Sequence, residues 1–321
     1  MRVAFVGKGG SGKTTLSALF SRYTAGRGGP VVAVDADINQ HLGMALGVAD
    51  GALPRPMGSH LAEIKEYLRG DNPRISSASA MVKTTPPGRG SRLLRLDERN
   101  DPIHAGFAVA APEGPLLMVT GPFSEDDLGV ACYHSKVGAV ELYLNHLLDG
   151  AGEYVVVDMT AGADSFASGL FTRFDMTFLV VEPTRQGVSV YRQYRDYAAD
   201  YGVPIAVVGN KIHGPGDVSF LREQVGADLL VCLEHSAAIR AMEQGRPFTL
   251  SDLEVANSRA LGTLLDHLDA QEKDWDRFGR QAVRFHLRNA EAWANRATGE
   301  DLAAQIDPDF VFGPTRVSLS R

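Results

Sequence analysis

Eight short apolar runs punctuate the chain: RVAFV (2–6), VVAVD (31–35), GFAVAA (106–111), LLMVTG (116–121), YVVVDM (154–159), TFLVVE (177–182), PIAVVGN (204–210) and DLLVCL (228–233). They are rich in valine and are bounded by glycine, proline or acidic residues. Within them apolar residues follow one another instead of alternating with polar ones, the pattern of strands covered on both faces. Helix-like segments fall between many of these runs, over 13–26, 60–69, 135–149, 184–201, 217–225, 236–244 and 255–270. Strand–helix alternation predicts an α/β fold with a doubly wound, mostly parallel sheet and helices on both faces. In such sheets ligands gather at the carboxyl ends of strands.

Two regions break the rhythm. Residues 70–104 are rich in proline, glycine and charge and read as a long loop or small excursion, a feature that is often functional. Beyond about residue 270 the pattern predicts one long helix over 271–298 followed by an extended tail. A core domain of residues 1–268 and an appended segment of residues 269–321 are therefore expected. In the helix, Trp275, Phe278, Ala282, Phe285, Asn289 and Trp293 form a stripe beside Arg277, Arg280, Arg284 and Arg288. A basic amphipathic helix can lie on a membrane or grip a partner. Packing on the chain's own domain or on a second copy is the leading expectation.

Composition narrows the classes. With 44% hydrophobic and 22% charged residues the chain can bury an ordinary core. A net charge of −7 without a lysine or arginine block argues against a nucleic-acid binder. Two cysteines, Cys132 and Cys232, are too few for a disulfide framework and fit a reducing compartment. The N-terminus does not read as a signal peptide and no run approaches a membrane span, so a cytoplasmic location is expected.

The chemistry begins directly after the first apolar run. GKGGSGKTT (7–15) satisfies G-x-x-x-x-G-K-[ST] through Gly7, Gly12, Lys13 and Thr14, between a strand and a helix. Gly9, Gly10, Ser11 and Gly12 would turn backbone amides toward phosphate at the helix N-terminus, with Thr15 completing the turn. Lys13 would reach the β- and γ-phosphates, and the Thr14 hydroxyl would bind Mg²⁺. At VVGNKIH, Asn210 and Lys211 end a strand. His213 stands where a guanine reader carries aspartate, so guanine loses its partner and ATP is expected.

The second lysine, Lys8, lies within K-G-G-x-G-K-T-T, and this loop resembles the deviant phosphate-loop ATPases of the MinD/ParA type. The resemblance implies that Lys8 crosses a homodimer interface to the nucleotide of the other copy, a cation delivered only when two subunits close. It further implies that DADINQ is a switch in which Asp35 approaches the Mg²⁺ shell and Asp37 orients or activates the attacking water, although carboxylates near a metal can hold either water. Asp158 in DMTAGAD would be the second Mg²⁺ carboxylate and Gly162 would mark the second switch. Asn210 would contact adenine.

TTPPGRGS (84–91), VVVDMTAGAD (155–164) and VVEPTRQGVSVYRQ (180–193) narrow the likeness to the nickel-insertion ATPases of carbon monoxide dehydrogenase maturation, over roughly residues 1–268. That family carries a C-x-C element that binds metal between two subunits. Here the element reads Cys132-Tyr133-His134. Two Cys132 and two His134 from a dimer would suit Zn²⁺, with Ni²⁺ among the other candidates. The expectation is a dimerising Mg-ATP hydrolase that serves a client metalloenzyme. A positioning or regulatory switch without metal is the alternative.

Overall fold

The computed structural model describes residues 1–122, 133–166 and 168–314, without the side chains of residues 133–135, 163 and 164. In chain order the elements are β1 (Arg2–Gly7), α1 (Lys13–Ala25), β2 (Val31–Ala36), α2 (Leu42–Ala45), α3 (Leu61–Arg69), β3 (Leu94–Arg95), α4 (Pro102–Phe107), β4 (Val109–Ala110) and β5 (Leu116–Val119). There follow α5 (Tyr133–His146), β6 (Leu147–Leu148), β7 (Tyr154–Met159), β8 (Met176–Val181), α6 (Arg185–Tyr201), β9 (Ile205–Ile212), α7 (Pro215–Val225) and β10 (Leu229–Glu234). The chain continues through α8 (Ala237–Glu243), α9 (Val255–Asp269), α10 (Trp275–Asn289) and α11 (Asn295–Thr298).

The main sheet runs β10-β9-β8-β1-β7-β2-β5-β4, parallel throughout except for the β4–β5 edge pair. β3 and β6 form a separate parallel pair. Alternate residues of the apolar strands serve two cores. Ala4, Val6, Val32, Val34, Val155 and Val157 pack with residues of α5 and α6 on one face. Val3, Phe5, Val31, Val156 and Phe178 pack with Leu16, Leu19 and Phe20 of α1 and Leu261, Leu264 and Leu268 of α9 on the other. The doubly wound α/β reading holds because both faces are covered by helices.

Two expected elements differ. GFAVAA supplies only the two-residue β4, because Asp101 accepts from Ile103 N at 2.8 Å, Pro102 follows at the first helical position, and α4 takes Gly106 and Phe107. The helix expected over 271–298 begins later, where Asp274 caps it through Arg277 N at 2.7 Å. A π-helical turn over Ala290–Ala294 then separates α10 from α11. There Ala290 and Ala294 pack with Val82 and Leu302.

The part of the stripe that lies on α10 faces its own domain, whereas Trp293, in the π-helical turn, stays exposed. Phe278, Ala282 and Phe285 are buried, and Phe285 joins the core that contains α5 and α6 residues. Arg277 donates to Phe174 O at 2.8 Å, and Arg284 lies over the Tyr201 ring at 4.5 Å. Among the described residues no helix is long and apolar enough to cross a membrane.

Candidate active site

β1 ends at Gly7 and α1 begins at Lys13, so residues 8–12 turn between the central strand and a helix N-terminus. Gly12 caps α1 at φ 95° with no side chain over the first amides, which leaves donors and a favourable dipole for an anion. A Cβ on Gly12 would lie 2.3 Å from Asn210 Nδ2, so any larger residue would have to push that amide off its bond to Ser11 O. Ser11 N donates to Lys8 O at 3.1 Å, which closes the turn. Lys13 is buried, with its ammonium 3.4 Å from Lys8 O. Gly9 and Gly10 stand exposed at the rim, while Thr14 and Thr15 are half-buried, and the Thr15 hydroxyl donates to Glu243 at 3.0 Å.

A cleft of about 670 Å³ runs from this loop toward the ends of β9 and β10, with Lys13, Thr14, Asp37, Asn210, Lys211 and His235 on its wall. Asn210 Nδ2 donates to Ser11 O at 2.7 Å. Lys211, with a left-handed φ of 58°, donates to Gly10 O at 2.6 Å and to Glu182 at 2.7 Å. Both residues brace the phosphate loop from the β9 side. Lys8 reaches from the rim to Gln186 Oε1 at 2.6 Å, at the start of α6.

Strand register brings the two strand-borne carboxylates together. Asp35 stands opposite Asp158 across the β2–β7 pair, and both are fully buried. Burial, followed by repulsion from Asp158, raises Asp35 well above the usual carboxylate range against the pull of its amide bonds. Those bonds come from Leu42 N at 2.8 Å and Asp37 N at 3.2 Å. Burial pushes Asp158 up to about 7, against the neighbouring Thr14 hydroxyl and Lys13 ammonium, and Asp37 adds to the rise. Ser17 of α1 donates to Asp158 Oδ1 at 3.4 Å, whereas Oδ2 is buried without a hydrogen-bond partner.

Asp37 accepts from Asn39 N and Asn39 Nδ2, both at 2.9 Å. Gln40, at φ 53°, donates to Asp37 O and accepts from Gly121 N at 3.0 Å, which ties this loop to the end of β5. Cys132 lies outside the described residues, as does the side chain of His134. Among the described residues no group of three or more His, Cys, Asp or Glu could hold a metal ion. Cys232 is half-buried on β10, where burial raises its thiol, in keeping with a packing role.

Sequence reasoning missed Gln40, Gln186, Glu243 and His235. Gln40 and Gln186 sit in the quoted DADINQ and EPTRQG stretches just past strand ends, which is the signal that could have drawn attention to them. Nothing local marks Glu243 or His235, which reach the site through the order of strands.

Residues 3–277 match the CobQ/CobB/MinD/ParA nucleotide binding domain. The carbon monoxide dehydrogenase accessory protein CooC of Rhodospirillum rubrum is 30% identical over 246 residues, which is 76% of this chain and 87% of that protein. An uncharacterized ATP-binding protein of Methanocaldococcus jannaschii is 26% identical over 257 residues, 78% of this chain and 91% of its own length. The septum site-determining protein MinD of Pyrococcus horikoshii, solved with Mg-ADP, shares the fold. Its TM-score is 0.56 at 17% identity, covering 84% of this chain and 96% of that one. With a phosphate loop at the end of the central strand and a family match across most of its length, the chain belongs to the CobQ/CobB/MinD/ParA nucleotide-binding family, as a P-loop ATP hydrolase.

Proposed function

We propose that this chain is a dimerising, Mg-dependent ATPase that drives metal insertion into a client metalloenzyme, with nickel as the cargo. The similarity to the carbon monoxide dehydrogenase accessory protein is the observation that carries this reading. The core of residues 1–268 would hydrolyse ATP, and residues 269–321 would brace it.

In this reading Lys13 and the amides at the start of α1 hold the phosphates, and Asn210 and Lys211 border the adenine. The residues present suit Mg²⁺, which takes few carboxylates beside substrate phosphates and water. Asp158 offers a buried oxygen without a partner next to Thr14, and Asp35 stands behind it. Bound there, Mg²⁺ would neutralise phosphate charge as the terminal bond breaks. Asp37, on the cleft wall, would orient the attacking water for in-line displacement. Lys8 would leave Gln186 and reach the nucleotide of a second copy, adding its charge only in the closed dimer.

Cys132 and His134 from each copy would together offer two thiolates and two imidazoles to a Zn²⁺ or Ni²⁺ ion. The decisive experiment is metal stoichiometry of the ATP-analogue-bound protein after gel filtration with added Ni²⁺ and Zn²⁺, wild type against Cys132→Ser. One metal per dimer, lost in the variant, supports cargo binding at this position. An intact dimer without metal in either protein overturns metal insertion and leaves a nucleotide switch acting on a protein or membrane partner.

A further inference from the structure

The end of the cleft away from the phosphate loop is built around a pair of imidazoles. His213, just past the end of β9, and His235, just past the end of β10, stack with ring centroids 5.0 Å apart and planes 27° from parallel. Their backbones are pinned. His213 N donates to Asp217 Oδ2 at 2.8 Å, and His235 N donates to Ile212 O at 2.9 Å. Both side chains are exposed, and both line the cleft that begins at Lys13 and Thr14.

Their position is also fixed relative to the phosphates. Asn210 and Lys211, three and two residues before His213, bond to Ser11 O and Gly10 O at 2.7 and 2.6 Å. The phosphate loop and the imidazole pair are therefore held by one strand end. Rings fixed in advance stack on a ligand with little loss of side-chain freedom. Every nucleobase presents a π-face, so such a surface takes a base by stacking. Carboxylate recognition of a guanine edge is missing here because His213 itself occupies the position where a guanine reader carries its aspartate.

We propose that the stacked His213–His235 pair is the base-stacking wall of this cleft and takes an adenine by its face. The inference rests on the reading of the cleft as an ATP site and extends it to residues on two separate strands. The wall acts on the base and leaves the phosphates untouched, which separates its effect from damage to the phosphate loop.

The test is equilibrium binding of a non-hydrolysable ATP analogue and of inorganic tripolyphosphate to wild type, His213→Ala, His235→Ala and His235→Phe. Each alanine variant should bind the analogue about tenfold more weakly, the effect of losing one aromatic stacking partner. Tripolyphosphate affinity should stay at the wild-type value, and His235→Phe should restore analogue binding. Alanine variants that bind the analogue as wild type does would overturn the wall. So would an equal loss for tripolyphosphate, which would point to a displaced loop. Wild-type protein that fails to bind the analogue would remove the ATP reading and the wall with it.

Discussion

At Gly12 the loop needs a left-handed φ of 95° and clearance of Asn210 Nδ2, which only a residue without Cβ supplies. Gly12→Ala should cost about 1–3 kcal/mol from the backbone conformation alone and abolish measurable nucleotide binding in a titration. Asp158 gives a prediction of opposite sign. Burial raises its carboxyl to about 7, so the folded chain holds a proton that the unfolded chain releases near 4. Stability from this group is greatest below the unfolded value and falls as pH rises toward 7. Asp158→Asn should therefore raise the melting temperature of nucleotide-free protein at pH 8 while ATP turnover is lost. A melting temperature below wild type at that pH would refute the argument. At Lys8, substitution by alanine should leave nucleotide binding intact and cut turnover, because its proposed target is the other subunit's nucleotide. Full turnover would sink the trans mechanism.

At the scale of elements, the excursion over 70–104, which contains β3 and the start of α4, is held by the segment that follows α11. Thr85 Oγ1 donates to Gln305 Oε1 at 3.3 Å, and Gln305 Nε2 donates to Ala80 O at 2.9 Å. Arg89 meets Asp307 through Nε at 2.8 Å and Nη2 at 3.1 Å. Asp307→Asn should loosen this staple and expose the loop to limited proteolysis with ATP binding unchanged. On α10, Phe285 sits against Phe171 and Tyr201 with centroids 5.8 and 5.4 Å away. Phe285→Ala should cost about 3–5 kcal/mol in chemical unfolding, the usual range for a buried aromatic. The composition of both segments showed that they depart from the core pattern. It did not show that they pack on each other, since their contacts join residues more than 200 apart in sequence.

Across the whole molecule, the first strand and the C-terminal extension share one buried ion network. Asp149 meets Arg2 at 2.7 Å, Lys273 at 2.6 Å and the Met1 ammonium at 2.8 Å, and Lys273 also reaches Asp175 at 2.6 Å. Burial alone would raise Asp149, but Arg2, Lys273 and the Met1 ammonium outweigh it and hold the carboxyl well below its usual range. A depressed carboxylate stabilises the fold above its unfolded value, and that contribution is lost as pH falls through the usual carboxylate range and below. Asp149→Asn should weaken the fold at neutral pH by about 3–5 kcal/mol, the cost of breaking a buried network. It should also flatten the acid limb of a melting-temperature series. An unchanged acid limb would show that the network does not govern acid unfolding.

The sequence by itself determined the α/β class, the strand and helix rhythm, and the phosphate loop. Each rests on neighbours a few residues apart, where spacing alone decides which side chains share a face. It also named the carboxylates Asp35, Asp37 and Asp158, though not the arrangement that gives them chemistry. Only the tertiary structure set Asp35 against Asp158, brought Asn210 and Lys211 onto the phosphate loop, and stacked His213 on His235. It likewise turned the α10 stripe inward onto the core. Those placements follow from which strands neighbour one another in the sheet, and strand order is fixed by the packing of the whole chain rather than by any local window.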